Sequence, residues 1–138
     1  MKLASLPALV FLMAAMFLFN ACSNTTANLT GEWKLVSYGD AAAPTPALPG
    51  VDTSISFEDG QFGGTVGCNS FGGDYKINGD QMSIGSVFST MMFCDQTSAQ
   101  ESAVLAILSG KTMTITQNGN LLTLSSTDGK SVVTLEKK

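Results

Sequence analysis

Four Xaa-Gly dipeptides, Asp59-Gly60, Asn78-Gly79, Asn118-Gly119 and Asp128-Gly129, stand between runs of strand-forming residues within about 70 residues of chain. A tight two-residue turn needs positive φ at its central positions, which Asn, Asp and Gly tolerate. Each dipeptide therefore predicts a hairpin. Four hairpins in so short a span leave room for little except antiparallel β structure.

The runs between the turns alternate with a period of two, which puts each apolar set on one face of a sheet. Trp33 and Leu35 share one face, with Val36 and Tyr38 expected on the other. Ile55 and Phe57 precede the first turn, and Phe62 and Val66 follow it. Phe71, Tyr75 and Ile77 lead into the second, and Met82 and Ile84 lead out. Met113 and Ile115 are joined to Leu122 and Leu124 by the third turn, and Val133 and Leu135 come last.

One segment departs from this pattern. Ser98-Ala99-Gln100-Glu101 has the form of a capping box, with Ser98 as N-cap and Glu101 as its reciprocal partner. Val104, Ile107 and Leu108 then form a helical stripe, and Gly110 suits a helix stop. Asp40 to Gly50 carries three Pro and four Ala and is expected to be an irregular loop. About eight strands and one helix predict a small antiparallel β-barrel or strongly curved sheet, with the helix closing one opening or covering an edge. Trp33, Phe57, Phe71, Tyr75, Met82 and Phe88 are large enough to fill its interior.

Targeting signals lie upstream. Met1-Lys2 begins the chain with a positive charge, and the uninterrupted apolar run Ala8–Phe19 has 12 residues. A membrane-crossing helix needs about 20, so residues 1–21 read as a signal peptide. The run ends Leu18-Phe19-Asn20-Ala21-Cys22, which resembles the lipobox of bacterial lipoproteins, whose cysteine is lipidated and becomes the first mature residue. Cys22 is thus the expected lipidation site, and residues 22–28 an anchored polar tether. Losing Lys2 leaves six Lys against eleven acidic residues, a net charge of −5. Such a body is repelled by nucleic acid and by acidic membrane surfaces, so the anchor is expected to be the lipid. Ser23-Asn24 after the cysteine suggests a periplasm-facing protein of the bacterial envelope.

With Cys22 assigned to lipid, Cys68 and Cys94 form an even pair outside the cytoplasm, where a disulfide is favoured over two buried thiols or a redox pair. The sequence has no His and no Cys-x-x-Cys spacing. No metal site and no cofactor are therefore expected.

Three segments together resemble the META domain, the HslJ-like family of bacterial envelope proteins. They are Leu29-Thr30-Gly31-Glu32-Trp33-Lys34-Leu35; then Ile55-Ser56-Phe57 with Gly67-Cys68-Asn69-Ser70-Phe71-Gly72-Gly73-Asp74-Tyr75; and Thr90-Met91-Met92-Phe93-Cys94 with Glu101 and Leu108. The resemblance spans nearly all of residues 29–138. It implies a lipocalin-like antiparallel barrel with one helix, usually secreted or lipid-anchored, for which no enzymatic activity is established. Members have been linked to heat stress and antibiotic resistance. The motif residues it marks here are Trp33, Gly67, Cys68, Asn69, Gly73, Tyr75, Thr90, Met92, Cys94 and Glu101, with Thr90–Cys94 expected as a strand.

Catalytic readings find little support. Gly67–Gly73 is Gly-rich but lacks the Lys-Ser/Thr that opens a helix after a phosphate loop. Asp52-Thr53-Ser54 resembles half of an aspartic-protease pair, and there is no second copy. No Ser is matched to a particular Lys, and the Asp residues lack calcium-loop spacing. Met91, Met92 and Phe93 form the apolar cluster to watch, as core or as a ligand or partner patch. The expected function is a non-catalytic, monomeric, lipid-anchored envelope protein that supports envelope integrity or stress tolerance through binding. The alternatives are a carrier of a small apolar ligand inside the barrel, or an inhibitor or partner-binding module using the 40–50 loop.

Overall fold

In the computed structural model, which describes residues 27–138, each of the four turn dipeptides joins two antiparallel strands. At the first, Asp59 has φ 49° and Gly60 φ 79°, the left-handed pair that the dipeptide was expected to supply; at the other three only Gly79, Gly119 and Gly129 are left-handed, and Asn78, Asn118 and Asp128 are not. The expected signal peptide (residues 1–21) and the expected lipidation site Cys22 lie outside the described residues.

Ten strands and one helix follow in order: β1 (Glu32–Asp40), β2 (Thr45–Pro46), β3 (Ser54–Glu58), β4 (Gln61–Thr65), β5 (Ser70–Asn78), β6 (Gln81–Ile84), β7 (Phe88–Ser89), α1 (Ser98–Leu108), β8 (Thr112–Asn118), β9 (Leu121–Ser126) and β10 (Ser131–Lys137). Eight of them run β1-β3-β4-β5-β6-β8-β9-β10, and β10 pairs back onto β1 to close the barrel. Every pairing is antiparallel. Closure removes the sheet edges that an open structure of this size would expose. β2 lies on β1, so the Ala/Pro loop contains a short paired piece within its irregular path.

The barrel has two unlike ends. The first holds the start of β1, the end of β10 and the short β3–β4, β5–β6 and β8–β9 turns. The second holds the long connections, and α1 closes it with Val104 and Leu108 packed into the core.

Trp33, Met82, Met113, Leu122 and Val133 retain no solvent-accessible surface, and Leu124 and Leu135 almost none. A side chain lining a water-sized void would keep some, so these layers are filled by the protein itself. The Trp33 indole N–H donates to the Leu29 carbonyl at 2.9 Å, which satisfies its one polar atom. Phe57, Phe62, Phe71 and Tyr75 pack ring against ring at centroid distances of 5.6–6.5 Å.

Several expectations from the sequence are corrected. The β1–β10 register shifts between Leu35 and Ser37, so a bulge there returns Tyr38 to the inner face beside Leu35 and leaves Val36 outside. Ile77 is exposed at the first end, where it lines a cleft with Leu29, Phe57 and Tyr75, although its strand partner Met82 is fully buried. Phe88 does not fill the barrel: it is exposed on β7, against the outer side of Gly72. Thr90–Cys94 is not a strand by its pairing, since regular pairing stops at Ser89. The capping box is also absent. Thr97 is the N-cap, and the Glu101 carboxylate is directed elsewhere.

Candidate functional site

The motif residues Gly67, Cys68, Asn69, Thr90, Met92, Cys94 and Glu101 converge at the second end of the barrel, between the β4–β5 connection and the N-terminus of α1. Trp33, Gly73 and Tyr75 do not join them. Trp33 and Tyr75 belong to the core and its aromatic cluster, and Gly73 lets the Phe62 ring lie close against β5.

Glu101 organises the cluster. It is only 6% exposed and no cation accompanies it among the described residues. Four donors take the place of a cation. Its Oε1 accepts from the Cys68 N–H at 2.5 Å, the Thr97 hydroxyl at 2.8 Å and the Asn69 N–H at 3.3 Å, and Oε2 accepts from Asn69 Nδ2 at 2.7 Å. Burial alone would raise its pKa. The bonds from the Asn69 side chain, the Cys68 N–H, the Thr97 hydroxyl and the Asn69 N–H together outweigh burial and hold it below the ordinary carboxylate value. Such a group is a fixed acceptor and is poorly suited to donating a proton.

Gly67 makes this approach possible. A Cβ there would collide with the Glu101 carboxylate and its methylene stem. The first glycine of the run therefore serves close packing against the carboxylate. Gly67→Ala should cost about 2 kcal/mol in the native protein and close to nothing once Glu101 is Ala, a coupling that urea unfolding of the four-member cycle would measure. Equal costs in both backgrounds would separate Gly67 from the carboxylate.

Asn69 is the second organiser. Its Nδ2 donates to the Met92 carbonyl at 2.9 Å, while its Oδ1 accepts the Met92 N–H at 2.7 Å and the Thr90 hydroxyl at 2.9 Å. The amide side chain thus pairs with Met92 as a neighbouring strand would. The Thr90 hydroxyl also accepts the Ser70 N–H at 3.1 Å. Two residues on, Cys94 is disulfide-bonded to Cys68, with their Cα atoms 6.4 Å apart. The segment after β7 is thereby fastened at Thr90, Met92 and Cys94.

What this scaffold presents is apolar. Met91 is 96% exposed, Phe93 86%, Phe88 72% and Met92 59%. None of the four is part of the core. A cleft of about 280 Å³ runs between residues 89–93 and the Ser98, Ser102 and Leu105 side of α1.

Two contributors escaped the sequence reading. Thr97 holds Glu101 from one turn back. Gln100 is fully buried, accepting the Leu48 N–H at 2.8 Å and donating to the Val66 carbonyl at 2.6 Å, so it ties the Ala/Pro loop to the closed end. Its signal was available: Gln100, Val104 and Leu108 are four apart and lie on one helical stripe. Elsewhere, Asp52 is exposed beside Lys138, and the neighbouring Thr53 hydroxyl accepts the Leu35 N–H. A wider cleft of about 640 Å³ opens at the first end beside Leu29, Phe57, Tyr75 and Ile77.

A filled, helix-capped β-barrel with a fastened apolar rim defines a class of small closed-barrel domain. The chain belongs to the META domain family, whose match covers residues 27–138. Among solved structures it is similar to a protein from Burkholderia xenovorans (20% identity, TM-score 0.65, covering 80% of this chain and 83% of that one). It is also similar to a duf4847 family protein from Bacteroides vulgatus (15%, TM-score 0.60, covering 80% and 94%). A lipocalin-like protein from Bacteroides uniformis shares the fold as well (19%, TM-score 0.52, covering 81% and 100%). Comparison with curated proteins finds no match.

Proposed function

We propose that this protein is a non-catalytic, lipid-anchored envelope protein that acts by binding another protein at the Phe88–Phe93 rim, in support of envelope integrity or stress tolerance. The observation that carries this reading is the contrast between interior and rim. Trp33, Met82, Met113, Leu122 and Val133, at the heart of the barrel, have no accessible surface left, whereas Met91 and Phe93 stand almost wholly in solvent. Contiguous exposed apolar groups of this kind mark interaction sites. A binding role without catalysis also fits the family and the fold.

The topology favours a partner away from the anchoring membrane. Ala27 and Asn28 lie at the first end of the barrel, where the Asn28 N–H donates to Gln117 at 2.8 Å, and the rim is at the second. Cys22 is five residues before Ala27, which limits its reach to about 17 Å. A lipid on Cys22 would hold the first end to the bilayer and turn the rim outward. The 40–50 loop is a weaker candidate, being fastened at Ala47 to Val36 and at Leu48 to Gln100.

The full-length chain, produced in a bacterial host fed an alkyne-tagged palmitate, should label and sediment with membranes, and Cys22→Ala should abolish both. An unlabelled, soluble wild-type protein would overturn the anchor. A photoreactive phenylalanine analogue at position 93 should give a discrete higher-mass adduct in the same cells. Replacing Met91 and Met92 by Ser should remove that adduct while changing stability by less than about 0.5 kcal/mol. The absence of any adduct would count against the binding role.

A further inference from the structure

We propose that residues 88–93 form an open β-edge that receives an extended, uncharged peptide segment of a partner protein, laid in the cleft between this edge and α1. This deepens the binding role proposed above and rests on it.

The backbone groups of this segment divide by parity. Phe88 pairs with Gly72 on β5, the Thr90 N–H donates to the Ser70 carbonyl at 2.9 Å, and both backbone groups of Met92 bond the Asn69 side chain. The even-numbered residues therefore face the barrel. Alternation along an extended chain turns the N–H and C=O groups of Ser89, Met91 and Phe93 to the opposite side. Among the described residues none of them has a hydrogen-bond partner. The barrel has closed its own edges and left this one open.

Adding a strand requires a free edge, a groove beside it and side-chain contacts at alternate positions. The 280 Å³ cleft supplies the groove, with the open edge as one wall and Ser98, Ser102 and Leu105 of α1 as the other. The edge is also ordered in advance, since Asn69 holds Met92 and the disulfide holds Cys94. Binding then need not order it, which favours affinity.

The lining sets the chemistry of the occupant. Ten residues border the cleft, and the single charged one, Glu101, already accepts from four donors. An arriving acidic group would be repelled by the Glu101 carboxylate, and a basic one would find that carboxylate buried and already saturated by donors, whereas Met91, Met92, Phe93 and Leu105 offer adaptable apolar contact. Two other occupants fit less well. A second copy of the chain would need roughly 20–30 residues a side for a stable interface. A bilayer interior would leave the open N–H and C=O groups without partners, which hydrocarbon does not tolerate.

The test uses residues Ser23–Lys138, which contain the whole closed barrel. Random ten-residue peptides displayed on phage are selected against it, and the most enriched peptide is synthesised. It should carry apolar residues at alternate positions and shift the amide resonances of Ser89, Met91, Phe93 and Ser102. N-methylating every second peptide nitrogen should weaken binding at least tenfold in one register and less than twofold in the other. Met91→Pro, which deletes a donor the fold does not use, should weaken it at least tenfold with the near-ultraviolet circular dichroism unchanged. The N-methyl comparison decides the matter even if that variant misfolds.

No enriched peptide, shifts confined to other residues, equal loss in both registers, or a protein dimer formed through residues 88–93 would each overturn the edge. If the edge fails while the position-93 adduct persists in cells, partner binding stands through side chains alone. If the adduct is also absent, both readings fall.

Discussion

Replacing Glu101 by Ala should lower the unfolding free energy by about 3–5 kcal/mol, measured by urea denaturation near neutral pH. The substitution strands the Cys68 and Asn69 N–H groups, the Thr97 hydroxyl and one donor of Asn69. A buried polar group left without a partner costs roughly 1–3 kcal/mol, and entering water recovers part of the sum. Glu101→Gln keeps the shape and an acceptor at Oε1 but turns an NH₂ toward Asn69 Nδ2, so its cost should be smaller, about 1–2 kcal/mol. The pH dependence has a definite sign. Because the folded-state pKa is depressed, the contribution of Glu101 is fully present above the unfolded value of about 4.3 and is lost as pH falls through the folded one. The wild-type protein should therefore lose stability as pH falls below about 4.3, and Glu101→Gln should flatten that limb. A loss below about 1 kcal/mol for Glu101→Ala would show that the carboxylate does not organise the closed end.

Removing the disulfide should have the second large effect. The bridge joins residues separated by 26 positions, and in the loop-entropy picture opening it costs about 3–4 kcal/mol. Reduction of the wild-type protein and the double change Cys68→Ser, Cys94→Ser should agree in the urea midpoint. The local consequence is more specific. Hydrogen exchange at the Thr90 and Met92 amides should accelerate well before that of Met82 or Leu122, because Cys94 is what fastens the far end of their segment. Uniform acceleration across the barrel would assign the bridge a global role only.

The turns and the inner face were legible because both are local signals. An Asn-Gly or Asp-Gly pair marks its own turn, although only at Asp59 does the first residue take positive φ. Alternation by two needs only neighbours in sequence, so Ile55, Phe57, Met82, Met113, Leu122 and Leu135 all appear where the pattern puts them. The bulge at Val36 was not legible, since it depends on how β1 meets β10 about a hundred residues away. Phe88 was misread for a related reason. Apolar character marks a residue as able to be buried, and the strand that carries it lies off the barrel path. At the site, resemblance to the family selected Gly67, Asn69, Thr90 and Glu101 without saying why they belong together. Their hydrogen bonds span 21 to 33 positions, a range over which periodicity is silent. The capping-box reading failed at the same point: the local partner for Glu101 was available in sequence, and three donors from the Gly-Cys-Asn segment, together with Thr97, took the carboxylate instead.

The claim underlying the functional reading is that the barrel is filled and that recognition happens on its outside. A native mass spectrum of Ser23–Lys138, expressed in a periplasm and never denatured, tests it most directly. The account predicts a bare polypeptide, lighter by the two hydrogens lost to the Cys68–Cys94 bridge. A mass excess that disappears on denaturation would contradict it and put a small-molecule carrier in its place.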